Sequence, residues 1–367
     1  MEIYLPIAGV KIDLLIILFL SFAVGVLSGL FGVGGGFLMT PFLIFLGIPP
    51  VYAIPNEVNN ILATSVSGSL THWFKDTLDY KMGFMIIIGG VMGTILGIST
   101  FTFFKEMGKL SLVISLSYMY LLAIIGTLML LEGVKEIDLA KKKIILKKKL
   151  HTHYWFHGLP FKLRFNKSRL YESIFTPIIL GTIVGFVAAL MGVGGAFLLV
   201  PAMIYIIGMP LKLIPGTSLF VTIFISVIVT VLHSINYGSI DMLLIIPLIV
   251  GSIIGVQVGH KVGQYLPSSH LKTLFAMLLC AVSVAIAYDT FFSEGDSKNF
   301  ENDKLNFEQL NSFSQFIINF SNDSPFFYSA SAILLAITLG VFGAGMRRIL
   351  SKYKYLFLLK TKTGVSN

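Results

Sequence analysis

Apolar positions run along this chain in stretches close to the twenty residues that cross a bilayer as a helix. They fall at 12–31, 55–74, 83–103 and 110–131, and again at 174–191, 213–236, 242–260, 270–290 and 327–346. Two shorter runs, 36–47 and 196–208, predict a tilted helix, a half-helix or a re-entrant segment. Polar side chains concentrate in the third segment of each half. The first carries Asn56, Glu57, Asn59, Asn60, Thr64, Ser65, Ser67, Ser69 and His72; the second carries Thr217, Ser218, Thr222, Ser226, Thr230 and His233. Hydroxyls and amides in a span are costly unless they are paired or line a pathway.

The halves are copies. Gly32-Val33-Gly34-Gly35-Gly36-Phe37-Leu38, closed by Pro41, returns 160 positions later as Gly192-Val193-Gly194-Gly195-Ala196-Phe197-Leu198, closed by Pro201, and 9 of the 17 residues from Gly25 to Pro41 are identical to their counterparts. Gly47-Ile48-Pro49 answers to Gly208-Met209-Pro210 and His72 to His233 at a spacing of 161. Asp79, Gly89, Gly93 and Gly97 answer to Asp241, Gly251, Gly255 and Gly259 at 162. Each repeat therefore holds about five segments. If all five cross, the copies have opposite orientations, the inverted-topology arrangement that underlies alternating access. If the short segments are re-entrant, each copy crosses four times and the copies are parallel.

Composition agrees with the pattern. The 367 residues are 55% hydrophobic and only 12% charged, with a mean hydropathy of +0.86, so the expected fold class is an all-α polytopic membrane protein. A net charge of +9 would suit nucleic acid, but 17 of the 27 basic residues lie in two segments, 134–175 and 347–362, that flank apolar spans. That placement predicts that the central loop and the C-terminus are cytoplasmic, with no nucleic-acid partner. The segment 289–323 has seven acids and two lysines and is expected on the other side. The expected parts are a first transmembrane repeat (1–132), a basic loop (133–173), a second repeat (174–290), an acidic segment (291–326), an extra helix (327–346) and a basic tail (347–367). The single cysteine, Cys280, excludes an intrachain disulfide and a cysteine-rich metal site. His151, His153 and His157 lack converging carboxylates and read as a solvated loop, so no metal or cofactor is expected. The N-terminus lacks a basic n-region and a small-residue cleavage site, so the first apolar stretch is expected to remain as a span.

The glycine clusters carry the candidate chemistry. Their spacing is neither the dinucleotide fingerprint nor a P-loop. Glycines in mid-span break a helix, and the next half-helix then begins with backbone N–H groups and the positive end of its dipole, which suit a small anion. Close packing by small residues is the competing reading. It is the better one for the strictly four-spaced Gly89/Gly93/Gly97 and Gly251/Gly255/Gly259. Gly34, Gly35 and Gly36 with Gly194 and Gly195 are thus candidate substrate contacts, joined by Asn56, Asn59, Thr217 and Ser218. The last two follow Pro215-Gly216 as at a helix start with free N–H groups. Glu57, His72 and His233 are the proton-coupling candidates.

These motifs, the doubled Gly-x-Gly-Gly-Gly/Ala-Phe-Leu-x-x-Pro with Gly-Ile/Met-Pro, Pro-Gly-Thr-Ser-Leu and Asn56-Glu57-Val58-Asn59, resemble those of the TauE/SafE sulfite exporter family, also called the toluene sulfonate uptake permeases, over roughly residues 10–290. The resemblance implies a bacterial multi-pass carrier of the plasma membrane for small sulfur-containing or carboxylate anions. The expected function is secondary transport of such an anion, with a channel-like conduit or a scaffold or sensor acting through the basic loop as alternatives. No enzyme constellation is present, and the expected partners are the small anion and the lipid bilayer; the sequence sets no oligomeric state.

Overall fold

A computed structural model describes residues 2–31, 38–141, 161–263, 268–292 and 312–363. Gly34, Gly35 and Gly36, the three loop histidines and the middle of the acidic segment lie outside the described residues. The elements are β1 (Glu2–Leu5), β2 (Val10–Asp13), α1 (Leu14–Phe31), α2 (Met39–Phe45), α3 (Pro50–Phe74), α4 (Tyr80–Glu106) and α5 (Leu110–Lys141). The series then repeats with β3 (Lys162–Phe165), β4 (Leu170–Ser173), α6 (Phe175–Met191), α7 (Ala196–Ala202, continued by a π-helical turn, Met203–Ile207), α8 (Ile214–Tyr237), α9 (Met242–Gly263) and α10 (Ser268–Phe292). Two further helices follow, α11 (Ser312–Asp323) and α12 (Pro325–Thr363). The protein is an all-α polytopic membrane protein, and among the described residues six helices are long and apolar enough to span by themselves.

Two antiparallel hairpins were not foreseen. Glu2 pairs with Asp13 in one and Lys162 with Ser173 in the other, so the register itself repeats at 160. Gly9 and Arg169 hold the same left-handed place in the two turns, with φ of 68° and 55°. Helix α5 runs nine residues past the expected end at 132, α11 forms inside the acidic segment, and α12 continues through the basic tail.

Glycines bring the outer helices into backbone contact. A Cβ on Gly89, Gly93 or Gly97 of α4 would stand 1.9, 1.9 and 2.6 Å from the carbonyl oxygens of Ile178, Thr182 and Phe186 of α6. The α9 glycines do the same against α1: Gly251 faces Leu18 O at 2.8 Å, Gly255 Phe22 O at 2.2 Å and Gly259 Val26 O at 2.0 Å. The four-residue spacing thus serves packing, with each partner residue displaced by 160. Both pairs run parallel. Helices α3 and α8 run antiparallel, because Gly68 meets Leu219 while Gly216 meets His72. So do α5 and α10, where Ser283 bonds to Met119 O and Gly133 abuts Thr273. Equivalent helices are thus paired head to tail.

The path of the shorter segment follows from its neighbours. Gly192 lies against Ile54, near the start of α3, and Gly216 lies against His72, near its end. The chain between them travels the length of α3, about 27 Å at 1.5 Å per residue. Helix α12, outside the repeats, covers another face of α3, with Gly340 against Ala63 O and Gln257 of α9 donating to Gly343 O at 3.2 Å.

Candidate functional site

Helix α3 is absent from the six self-sufficient spans because its middle is polar, yet sixteen of its 25 residues are buried. Protein therefore surrounds it: α8 and the Gly192–Gly195 loop on one face and α12 on another. At about 100° per residue, Glu57, Asn60, Ile61 and Thr64 share one stripe of α3. Gly68 continues that stripe onto Leu219 of α8, and Ile61 carries it onto Gly194. From Leu219 the facing stripe of α8 runs through Thr222, Ser226 and Thr230. The result is a polar seam between the two equivalent helices, sealed from solvent on both sides.

Several groups in this seam lack partners. Thr64 and Thr222 satisfy their hydroxyls within their own helices, on Asn60 O at 3.1 Å and Ser218 O at 2.9 Å. Among the described residues, the Asn60 Oδ1, Ser65 Oγ, Ser226 Oγ and Thr230 Oγ1 atoms are buried without a hydrogen-bond partner. Ser65 and Ser226 are equivalent positions, 161 apart. Buried polar groups are nearly always bonded, so these four atoms on α3 and α8 leave hydrogen-bonding capacity that a ligand or water can take up. Glu57 is fully buried, and the described residues give its two carboxylate oxygens one partner, Asn60 Nδ2, at 3.2 Å each.

The second glycine break borders the seam. Gly192, Gly194 and Gly195 all have left-handed φ, 74°, 69° and 80°, which a side chain rarely adopts. A Cβ on Gly194 would meet Ile61 Cγ2 at 2.4 Å. Leu198 and Leu199 make the first bonds of α7, both to Gly195 O, so the N–H groups of Gly195 and Ala196 belong to the unbonded first turn. Tyr118 of α5 donates to Met191 O, fixing the end of α6 just ahead of the break. No sequence signal pointed to Tyr118, which sits in an otherwise apolar segment.

The expected contacts do not all converge. The Asn56 side chain is fully used: Nδ2 donates to Tyr52 O and Ser239 O, and Oδ1 accepts from Asp241 N at 2.8 Å. Its counterpart Thr217 does the same for the other copy, accepting from Asp79 N at 3.1 Å while donating to Leu213 O. The Thr217 N–H is bonded to Leu213 O rather than free. The two aspartates cap α4 and α9 and hold the opposite hairpins: Asp79 takes Met82 N and the Ser168 backbone and hydroxyl, and Asp241 takes Leu243 N and Ile7 N. Ser218 turns its hydroxyl back to Pro215 O. Asn59 has a buried, unpartnered Oδ1, but it lies about 200° around α3 from Glu57. His233 points to the end of α6, with Nε2 at 3.0 Å from Ala189 O and Nδ1 buried without a partner among the described residues. His72 is about 22 Å along α3 from Glu57, with its Nδ1 2.9 Å from Thr77 Oγ1.

A family model described as sulfite exporter TauE/SafE matches residues 17–286. The chain belongs to the TauE/SafE family. The match runs from α1 through α10, leaving the first hairpin, α11 and α12 outside. This TauE/SafE chain is similar to the probable membrane transporter protein YunE of Bacillus subtilis (strain 168), 26% identical over 76% of this chain and 98% of the relative. It is also similar to the probable membrane transporter protein YjnA of the same organism, 28% identical over 62% of this chain and 82% of the relative. No solved structure matches it. Family and helices together make it a multi-pass membrane protein of a transporter family.

Proposed function

We propose that this TauE/SafE protein is a secondary carrier of a small anion, a sulfur oxyanion such as sulfite, a sulfonate, or a carboxylate, across the plasma membrane. The observation that carries the reading is the α3–α8 seam, where the Ser65, Ser226 and Thr230 hydroxyls have no partner among the described residues and Ile61 of α3 packs against Gly194, just ahead of α7. Hydroxyl and backbone donors are the groups that replace the water around such an anion. The head-to-tail pairing of α3 with α8 and of α5 with α10 supports inverted repeats, with the site between them. In this reading the first glycine motif, Gly34–Gly36, has the same anion-contacting role by sequence equivalence, and the basic segments orient the central loop and C-terminus to the cytoplasm.

Glu57 supplies the coupling. A bare carboxylate enclosed in protein without a counter-charge costs several kcal/mol, so this position favours a proton that enters and leaves with the cycle. The sequence contains no ATP-binding motif, and an ion gradient supplies the energy. Counterflow in proteoliposomes tests the carrier: excess sulfite or a sulfonate inside accelerates uptake of labelled anion, and Glu57→Gln retains this exchange while losing net uptake driven by a pH gradient. Electrogenic flux without trans-stimulation would establish a conduit instead. A thermal-shift screen in which no sulfur oxyanion, sulfonate or carboxylate stabilises the protein removes the anion site.

A further inference from the structure

A second polar cluster lies at the C-terminal end of α3, outside the seam. Arg347 of α12 is half-buried there. Its Nη1 reaches Thr71 Oγ1 at 3.5 Å, the limit of a hydrogen bond, and its Nε is sealed from solvent with no partner among the described residues. His72, Lys75 and His260 stand within Coulombic range, brought in by the ends of α3 and α9. The acids of the neighbouring turn are already taken: Asp76 pairs with Lys167, and Asp79 caps α4 and holds Ser168. Among the described residues, four cationic or protonatable side chains from three helices converge with no carboxylate between them.

Like charges converge in this way at a cost, and a guanidinium with unused in-plane donors is built for a planar pair of oxygens. The arrangement is not needed to seat α12, which Gly340, Gly343 and the Gln257 bond already fix against α3 and α9. The Nδ1 of His72 is held by Thr77, which leaves Nε2 for a further partner. We propose that His72, Lys75, His260 and Arg347 form a binding site for a tetrahedral oxyanion of the sulfate or phosphate type, taken free from solution or as the headgroup of an anionic phospholipid. The site does not depend on the transport reading.

Trp73, exposed beside His72, is a local reporter, and the other tryptophan, Trp155, is removed as Trp155→Phe. The full-length protein in phosphatidylcholine nanodiscs is titrated with sodium sulfate at constant ionic strength. Trp73 fluorescence is expected to saturate, with the half-saturating concentration raised about tenfold or more in Arg347→Gln and in Lys75→Gln, the loss of a charge-assisted contact. Lys75 is exposed and outside the helix, so its variant folds even where the Arg347 variant does not. Repetition in nanodiscs containing phosphatidylglycerol separates the sources. A headgroup occupant abolishes the sulfate response there and is retained on wild type, but not on Arg347→Gln, by native mass spectrometry; a free-anion site keeps its response. Wild type and both variants behaving alike in both membranes overturns the proposal.

Discussion

Gly194→Ala separates the two roles a glycine can have at the break. At φ +69° a Cβ costs about 1–2 kcal/mol in backbone strain. The same Cβ would lie 2.4 Å from Ile61 Cγ2 and 2.7 Å from Cδ1, roughly 1 Å inside ordinary carbon contact. Ile61 is fully buried, so overpacking adds about 1–3 kcal/mol. The total is about 2–5 kcal/mol. Gly208→Ala is the control: its φ is +71° and nothing lies within 4 Å of its Cβ, so it carries the strain alone, about 1–2 kcal/mol. Ile61→Ala removes both clashing atoms, and the double variant should recover about 1–3 kcal/mol of the sum of the singles. Thermal midpoints at one scan rate in one detergent, with counterflow measured on the surviving protein, read both effects. Equal shifts for Gly194→Ala and Gly208→Ala, with no coupling to Ile61, would refute the packing of this break against α3.

Gly93→Ala and Gly255→Ala should each destabilise by about 3 kcal/mol or more, because their Cβ atoms meet carbonyl oxygens at 1.9 and 2.2 Å, whereas Gly345→Ala, with nothing within 4 Å, should be neutral or better in the same thermal assay. Burial raises the carboxyl of Asp241, in the loop ahead of α9, to about 6 despite its backbone hydrogen bonds. The folded state therefore holds that proton more tightly than the unfolded chain, and the contribution is full below pH 4 and lost as pH rises through 6. The stability of wild type relative to Asp241→Asn, read from thermal midpoints, should fall between pH 4 and 7 by on the order of 3 kcal/mol in all and be level above pH 7; a difference that is flat from pH 4 to 7 would show that the hydrogen bonds offset the burial.

Helices were legible wherever apolar length decided them. The segments at 174–191, 196–208, 213–236 and 242–260 became α6, α7 with its π turn, α8 and α9 with shifts of a few residues. The hairpins were invisible because Glu-Ile-Tyr-Leu and Lys-Leu-Arg-Phe share no residue at the repeat spacing, and what repeats is backbone register. The polarity of the third segments pointed correctly to the most enclosed helices, but sequence could not sort that polarity. Asn56 and Thr217 read as ligands for the same reason that they make good inter-repeat caps: both roles need a short side chain offering hydrogen bonds inside apolar surroundings. Only the partner across the copies, Asp241 N for one and Asp79 N for the other, distinguishes them.

That sorting changes where the asymmetry of the two copies lies. The cross-caps, the glycine seams and the hairpin anchors are matched, whereas α12 adds a face to α3 from outside the repeats. Glu57 is not matched, since its counterpart Ser218 is uncharged and bonded within its own helix. In a carrier whose copies exchange conformations, matched contacts contribute alike to the two exchanged states, and an unmatched ionisable group contributes to the difference between them. A proton on Glu57 needs no change in scaffold contacts to tip that balance. At a spacing of 161 Asn60 and Thr64 are likewise unmatched, standing opposite Val221 and Ile225, so Glu57 is the ionisable part of a wider asymmetry of the seam.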